Sequence, residues 1–212
     1  MSLTPERRPQ TRDPVRTRGL IIEAARNAFA REGFGGARID SIAADSGVNK
    51  RMIYYYYVDK EGLFRAVLDT IYAELSDASE TVDLSGPPLA AIGAFVDFVW
   101  RYYLAHPDAI SILNNENLHR GEHLARSSEI GRMKRPLVEK LEALLERGAA
   151  EGVFKPGLDA TTVHITVIAL VYLFIGNTPT LSIYFGRDLS SEAARTAWRA
   201  HIEATILAIV RA

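Results

Sequence analysis

Four tyrosines run without interruption from Tyr54 to Tyr57, with Lys50 and Arg51 before them and Lys60 after. Phenols and cations at this density suit a polyanion: the ring packs on sugar while the hydroxyl donates to a phosphate oxygen. Successive residues of a helix point about 100° apart, so four consecutive rings cannot share one core. With Ile53 facing inward, Tyr57 at i+4 is expected on the buried face, Tyr54 and Tyr55 outward, and Tyr56 at the boundary. Three exposed aromatics without a partner are disfavoured on a soluble protein, which argues for a ligand on this face.

A second constellation is Glu116, His119 and His123, whose i, i+3, i+7 spacing can converge on a metal. Gly121 is expected to break the helix between the histidines, and no fourth donor follows. Neither a metal nor a cofactor is therefore expected. Nucleophilic chemistry fares no better. The chain has no cysteine, no GxSxG and no HExxH, and GFGG at 33–36 lacks the preceding strand of a phosphate loop. An enzyme is the least favoured reading.

The elements that must position these residues follow from periodicity. Apolar residues recur at helical spacing from about Val15 to Glu32, where Gly33 ends the segment. IDSIAADS predicts a two-turn helix, SGVN a turn, and KRMIYYYY another short helix. Asp59 suits the N-cap of a long helix reaching about Ser79, with Leu63, Val67, Ile71 and Leu75 on its apolar face. After the break TVDLSGPP (81–88), helices are expected at about 88–105, 108–119, 122–151, 159–176 and 189–211. No alternating strand pattern occurs, so the fold class is all-α with about nine helices.

The pair of short helices over 39–56 has a more particular spacing. Ala43 sits four residues before Gly47, which is followed by Val48 and then Ile53. A small residue at the crossing, a glycine free to adopt positive φ, and apolar locks on both sides are what a DNA-reading helix-turn-helix requires. An ordinary helical hairpin shares much of this pattern. In the DNA reading, Asn49, Lys50, Arg51 and Met52 lie at the end of the second helix that meets base edges. Lys60, in the first turn of the next helix, lies where backbone amides also favour phosphate.

Charge supports the DNA reading. Net charge is −1, yet residues 1–65 carry a balance of +4 and the remainder −5. A basic front and an acidic rear suit a chain with one part on a polyanion. The N-terminal stretch has no apolar core of a secretory signal, and the apolar run 165–176 is shorter than the ~18–20 residues that span a bilayer. A cytoplasmic protein is expected.

From about Arg18 to Leu68, through IIEAARNAFAREGF, IDSIAADSGVNKRMIYYYY and KEGLF, the chain resembles the N-terminal domain of the TetR family of ligand-responsive transcriptional repressors. The polar, proline-broken residues 1–13, with Arg7, Arg8 and Arg12, are expected to form a disordered basic arm. The resemblance implies a helix-turn-helix domain over 14–60 and a ligand-binding and dimerisation domain over 61–212, with 61–80 as connecting helix. It implies phosphate contacts from Tyr54, Tyr55 and Lys60, base reading by Lys50, Arg51 and Met52, and a DNA-side position for Tyr56. Departures stand out. Tyr57 replaces a usual phenylalanine, Val58 a common glycine or polar residue, and Arg51 a frequent glycine. Ala37 occupies the usual threonine cap of the second helix, where the adjacent Arg38 can supply a cation instead.

In the C-terminal part the resemblance implies a homodimer built on the last two helices, with Ile168, Val171, Phe174, Trp198, Ile202, Ile206 and Ile209 at the interface. Phe95, Phe98, Trp100, Tyr103, Asn115, Glu116, His119, His164 and Tyr172 fit the apolar walls and few polar groups of a pocket for a small apolar or aromatic effector. Ordinary core fits them equally. NENLHRGEHL and TLSIYFGRDL resemble a TetR subgroup with pyrimidine-responsive members, a likeness that does not carry the ligand over. The function implied is a ligand-responsive DNA-binding regulator, a repressor released from an inverted-repeat operator. A helical ligand-binding or adaptor protein without DNA regulation is the alternative.

Overall fold

The computed structural model describes residues 13–133 and 135–212. The basic arm expected over 1–13 lies outside these apart from Asp13, which is the N-cap of the first helix: its carboxylate accepts from the amide of Val15 at 2.9 Å. Among the described residues there are ten α-helices and no strand, so the all-α expectation holds with one helix more. Two compact units divide between Val67 and Leu68.

The first unit holds α1 (Pro14–Gly36), α2 (Ile39–Ser46), α3 (Lys50–Tyr57) and the opening of α4 (Lys60–Glu80). The axis of α1 is interrupted at Gly33 (φ 68°, ψ 174°), the expected stop, after which a short turn leads on to α2. Gly47 ends α2 in the left-handed region at φ 63°, a conformation open to glycine without the Cβ clash other residues meet. Asn49 caps α3, accepting from the Arg51 amide at 2.9 Å, and Asp59 caps α4, accepting from the Gly62 amide at 2.6 Å. Ile21, Ala25, Phe29, Ile42, Ile53, Leu63 and Phe64 form the core, with the Phe29 and Phe64 rings edge to face at 4.9 Å. Burying each of the isoleucine, leucine and phenylalanine side chains contributes roughly 1.5–3 kcal/mol.

The second unit continues α4 and adds α5 (Pro88–Ala105), α6 (Pro107–Leu118), α7 (Glu122–Ala125), α8 (Pro136–Ala150), α9 (Ala160–Phe185) and α10 (Glu192–Val210). α5 packs against α6, α8, α9 and α10 around Phe95, Val96, Leu141, Val167, Val171, Ile202 and Ile206. Two expectations are corrected here. The single helix expected over 122–151 is broken. Ser127 Oγ accepts from the amides of Glu129 and Ile130 and starts a turn. Pro136 then restarts the helix, because proline disfavours helical geometry in the residue before it. The helix expected to stop near Gly176 instead runs to Phe185, across Pro179. A mid-helix proline costs about 3 kcal/mol in lost bonding and crowding. Here Asn177 and Thr178 turn their side chains back onto the carbonyls of Leu173 and Phe174. Gly176 is a contact residue and no stop: a Cβ there would lie 3.0 Å from Ile110. The resulting α9 is, among the described residues, the one helix long and apolar enough to cross a bilayer by length and composition. Val163, Val167, Val171 and Phe174 on it are buried in protein.

The C-terminal end of α4 is tied down by one side chain. Lys140 Nζ, on α8, donates to the carbonyls of Ser79, Glu80 and Val82 at 3.1, 2.6 and 2.7 Å. These carbonyls lie at or just past the helix end, where intrahelical partners run out and where a cation also suits the helix dipole. Arg147 does the same for Leu84 and Gly86 in the loop that follows. Lys140→Met keeps the stem and removes the charge, and it is expected to destabilise the protein by about 1–2 kcal/mol in denaturant unfolding. Exposed Glu142→Gln on the same helix should leave the midpoint in place.

Candidate functional site

The reading face is built from α3 and its neighbours. Ile53 is fully buried, and the four rings fan out from it. Tyr54 and Tyr55 are exposed, at 43% and 76%, while Tyr56 and Tyr57 are half-buried. The boundary position of Tyr56 is held by a cation: Arg18 Cζ sits 4.9 Å from its ring centroid. Tyr57 is less enclosed than a core ring, and its burial raises the phenol pKa.

Each basic residue near α3 is differently held. Lys60 Nζ lies 4.9 Å from the Phe34 ring centroid and 3.4 Å from the Gly35 carbonyl. Partial burial lowers its pKa, against a smaller raising effect of Glu32. Lys50 Nζ makes a 2.6 Å ion pair with Asp40 in the first turn of α2. Its hydrogen bond to Asp40 is the main cause of a raised pKa. Arg38 and Arg51 are exposed, and Met52 is half-buried beside them in sequence. Arg38, and not Ala37, is the N-cap residue of α2, and it makes no side-chain cap bond. Ala37 is buried.

The junction between α3 and α4 is tight. Val58 adopts φ 67°, ψ −56°, and the Asp59 amide donates to the Tyr57 carbonyl at 2.7 Å. Together these make a γ-turn, a strained conformation for a β-branched residue. The same carbonyl abuts the first turn of α4: a Cβ on Gly62 would lie 2.0 Å from Tyr57 O.

The second unit contains a cavity of about 390 Å³ lined by Tyr72, Ser76 and Ser79 of α4, by Leu124, Ile130, Met133 and Arg135, by Pro136, Leu137 and Val138 of α8, and by His164 of α9. Its walls are mostly apolar with a few convergent polar groups, the character of a small-molecule site. Burial lowers the pKa of His164, which favours its neutral form.

Residues 21–67 match the family model described as bacterial regulatory proteins, tetR family, and residues 88–206 match that of the tetracyclin repressor-like C-terminal domain. The chain belongs to the TetR family. It is 37% identical over 184 residues to the HTH-type transcriptional repressor NicS of Pseudomonas putida, spanning 86% of this chain and 87% of that one. It is 40% identical over 110 residues to the repressor SCO4008 of Streptomyces coelicolor, 52% and 54% of the two chains. The regulator SCO4942 of Streptomyces coelicolor superposes with a TM-score of 0.66 at 23% identity, over 92% of this chain and 98% of that one, which shows the shared fold. This TetR protein is thus a ligand-responsive DNA-binding regulator.

The predicted site residues of the TetR protein fall out unevenly. On the reading head, Tyr54, Tyr55, Arg38 and Arg51 stand in solvent, while Asn49 spends its side chain on the α3 cap. Arg18 and Asp40 were not singled out in the sequence. Arg18 lies on α1, well before the motif, and Asp40 lies on the motif's own first helix, where no spacing rule pairs it with Lys50.

Of the nine predicted pocket residues, His164 lines the cavity. Phe95, Trp100 and Tyr103 are core residues, and Phe98 is partly buried against that core. Tyr172 donates from its hydroxyl to the Ile110 carbonyl and Asn114, both at 2.9 Å. Glu116 is buried and paired: one oxygen contacts His123 Nδ1 at 2.8 Å and the other accepts from the Leu124 amide at 2.8 Å. His119 Nδ1 faces the Asn115 carbonyl at 2.8 Å. The Glu116, His119, His123 spacing therefore serves packing of α6 on α7, and no cluster of three metal-ligating groups occurs among the described residues.

The α3–α4 junction generates a paired expectation of opposite signs. Val58→Gly releases strain of about 1–3 kcal/mol and gives back about 0.4–1 kcal/mol in chain entropy, for a net gain of roughly 1 kcal/mol. Gly62→Ala drives a Cβ into a carbonyl and should destabilise by about 1–3 kcal/mol while weakening DNA binding. Denaturant unfolding with gel retardation checks both.

Proposed function

We propose that the protein is a homodimeric, cytoplasmic repressor that binds an inverted-repeat operator through two copies of α3 and leaves it when a small, largely apolar or aromatic effector binds. The observation carrying the DNA half is the α3 face itself: two exposed phenols and an exposed arginine on a capped helix whose glycine turn locks it to α2. The relatives NicS and SCO4008 are named as repressors, which supports the sign of regulation. The effector reading rests on the cavity around Tyr72 and His164. Three of its lining residues belong to α4, the helix whose first residue is Lys60. An effector that prefers one placement of α4 therefore biases DNA binding, by a coupling typically of about 1–3 kcal/mol, and DNA disfavours the effector equally.

Dimerisation is assigned to α9 and α10, through a different residue set from the one expected. Val171, Phe174, Ile202 and Ile206 are buried within the protomer. Ile168 and Trp198 are partly buried against the same core, and the Trp198 indole donates to the Leu170 carbonyl at 3.1 Å. Ile209 remains exposed. The residues left exposed are instead Ile165, Leu173, Ile183, Tyr184 and Phe185 on α9, and Ala193, Ala197, Ala200, Ala204 and Ala208 on α10. Alanines along a helix face let a second helix approach closely, and large exposed apolar residues beside them need a cover.

Two experiments test this. Lys60→Ala should weaken all duplexes alike and flatten the slope of log affinity against log salt by about one unit. Arg51→Ala should relax base preference, losing about 1–3 kcal/mol on the selected site if the contact is bidentate. Gel retardation on duplexes selected from a random pool reads both, and a wild-type protein that retards none overturns the proposal. Leu173→Asp places a charge on the exposed apolar face and should give a folded monomer by sedimentation, with operator affinity lost. A dimer that survives it would place the interface elsewhere.

A further inference from the structure

The ion pair between Lys50 and Asp40 is unlike the other arrangements on the reading head. Lys50 is the first residue of α3 and Asp40 lies in the first turn of α2, so the pair bridges the two helices of the motif. Both side chains stay open to solvent, at 42% and 75% exposure. An exposed pair of this kind adds little to stability, and its consequence lies elsewhere. A carboxylate on a face that meets phosphates is unfavourable by itself, and it neutralises the lysine best placed to reach the groove. Arg51, the next residue, is held by no ion pair among the described residues and is exposed.

We infer that Asp40 is a specificity-determining residue: it holds Lys50 as an oriented donor toward base edges and keeps that cation from binding phosphate indiscriminately. This rests on the DNA-binding reading above and deepens it. The chemistry is direct. A lysine ammonium has three donors. One is engaged by the Asp40 oxygen at 2.6 Å, which fixes the direction of the other two. The ring of Tyr54, with its centroid 6.0 Å from Nζ, limits the lysine on the adjacent side. Guanine presents paired acceptors, O6 and N7, in the major groove, and a positioned lysine reads them. Away from such a site, Lys50 adds no net charge to attract phosphate, and Asp40 repels it. The pair thereby lowers affinity for arbitrary DNA more than for the operator, which is discrimination by penalising the wrong partner.

The test uses the full-length protein, wild type, Asp40→Asn, Lys50→Met and the double variant. The DNA probes are the best duplex recovered from a random pool and a shuffled duplex of equal length, measured by fluorescence anisotropy over a salt series. Asp40→Asn is expected to bind the shuffled duplex about 5–10-fold more tightly at low salt and to steepen the salt slope by about one unit, as one more cation reaches phosphate. Its ratio of selected to shuffled affinity should fall about tenfold, the size of one good base contact. In the Lys50→Met background the same change should leave that ratio where it was. If the ratio is unchanged in Asp40→Asn, Asp40 is only a general repulsive charge, and if it falls equally in both backgrounds Asp40 acts without Lys50; either result overturns the inference. A wild-type protein that retards no duplex from the pool would instead overturn the DNA-binding reading itself, and the inference with it.

Discussion

The carbonyl of Tyr57 occupies the space that any Cβ at position 62 would need, at 2.0 Å. That contact sets the geometry of the reading head. The last peptide of α3 must turn sharply to let α4 begin against it, and the chain does so through a γ-turn at Val58 with φ 67°. Asp59 then closes the turn from the other side by capping α4 on the Gly62 amide. A short helix of eight residues has little stability of its own, so α3 depends on these neighbours to hold its angle. The buried Ile53 locks the helix from beneath, and the Gly62 approach fixes its end.

Around that scaffold, three of the cations are arranged by partners, while Arg38 and Arg51 stand in solvent. Lys60 lies over Phe34, Arg18 over Tyr56, and Lys50 against Asp40. A long flexible cation held by a ring or a carboxylate loses less freedom when a phosphate or base arrives. Charge count alone misses this. The net balance of the first 65 residues indicates a polyanion partner, yet the reach of Arg18, Lys50 and Lys60 is decided by the side chain beside each.

The second unit solves a different problem. Its core is continuous through α5, α8, α9 and α10, and the Lys140 ammonium closes the end of α4 on three carbonyls. One apolar side of α9 is consumed by that core, which is why the residues most hydrophobic in sequence are not those left exposed. The outer face keeps alanines and a few large apolar groups. The buried Glu116 and His123 pair is another case of polar groups used for assembly: it joins α6 to α7, and Leu124 beside it lines the cavity.

The sequence by itself determined the helical class, the helix-turn-helix register and the outward pair Tyr54 and Tyr55. Each rests on local rules of spacing, capping and turn chemistry within a few residues. Asn49, Asp59 and Gly47 were legible as punctuation for the same reason. Only the tertiary structure decided which apolar face of α9 turns inward, that α9 continues past Pro179, and that Tyr72, Ser76 and Arg135 and not Phe95 and Trp100 line the cavity. It also brought Arg18 to Tyr56 and Asp40 to Lys50. These outcomes depend on which helices pack together, and a pattern of residue types along one helix says that a face is apolar without saying what covers it.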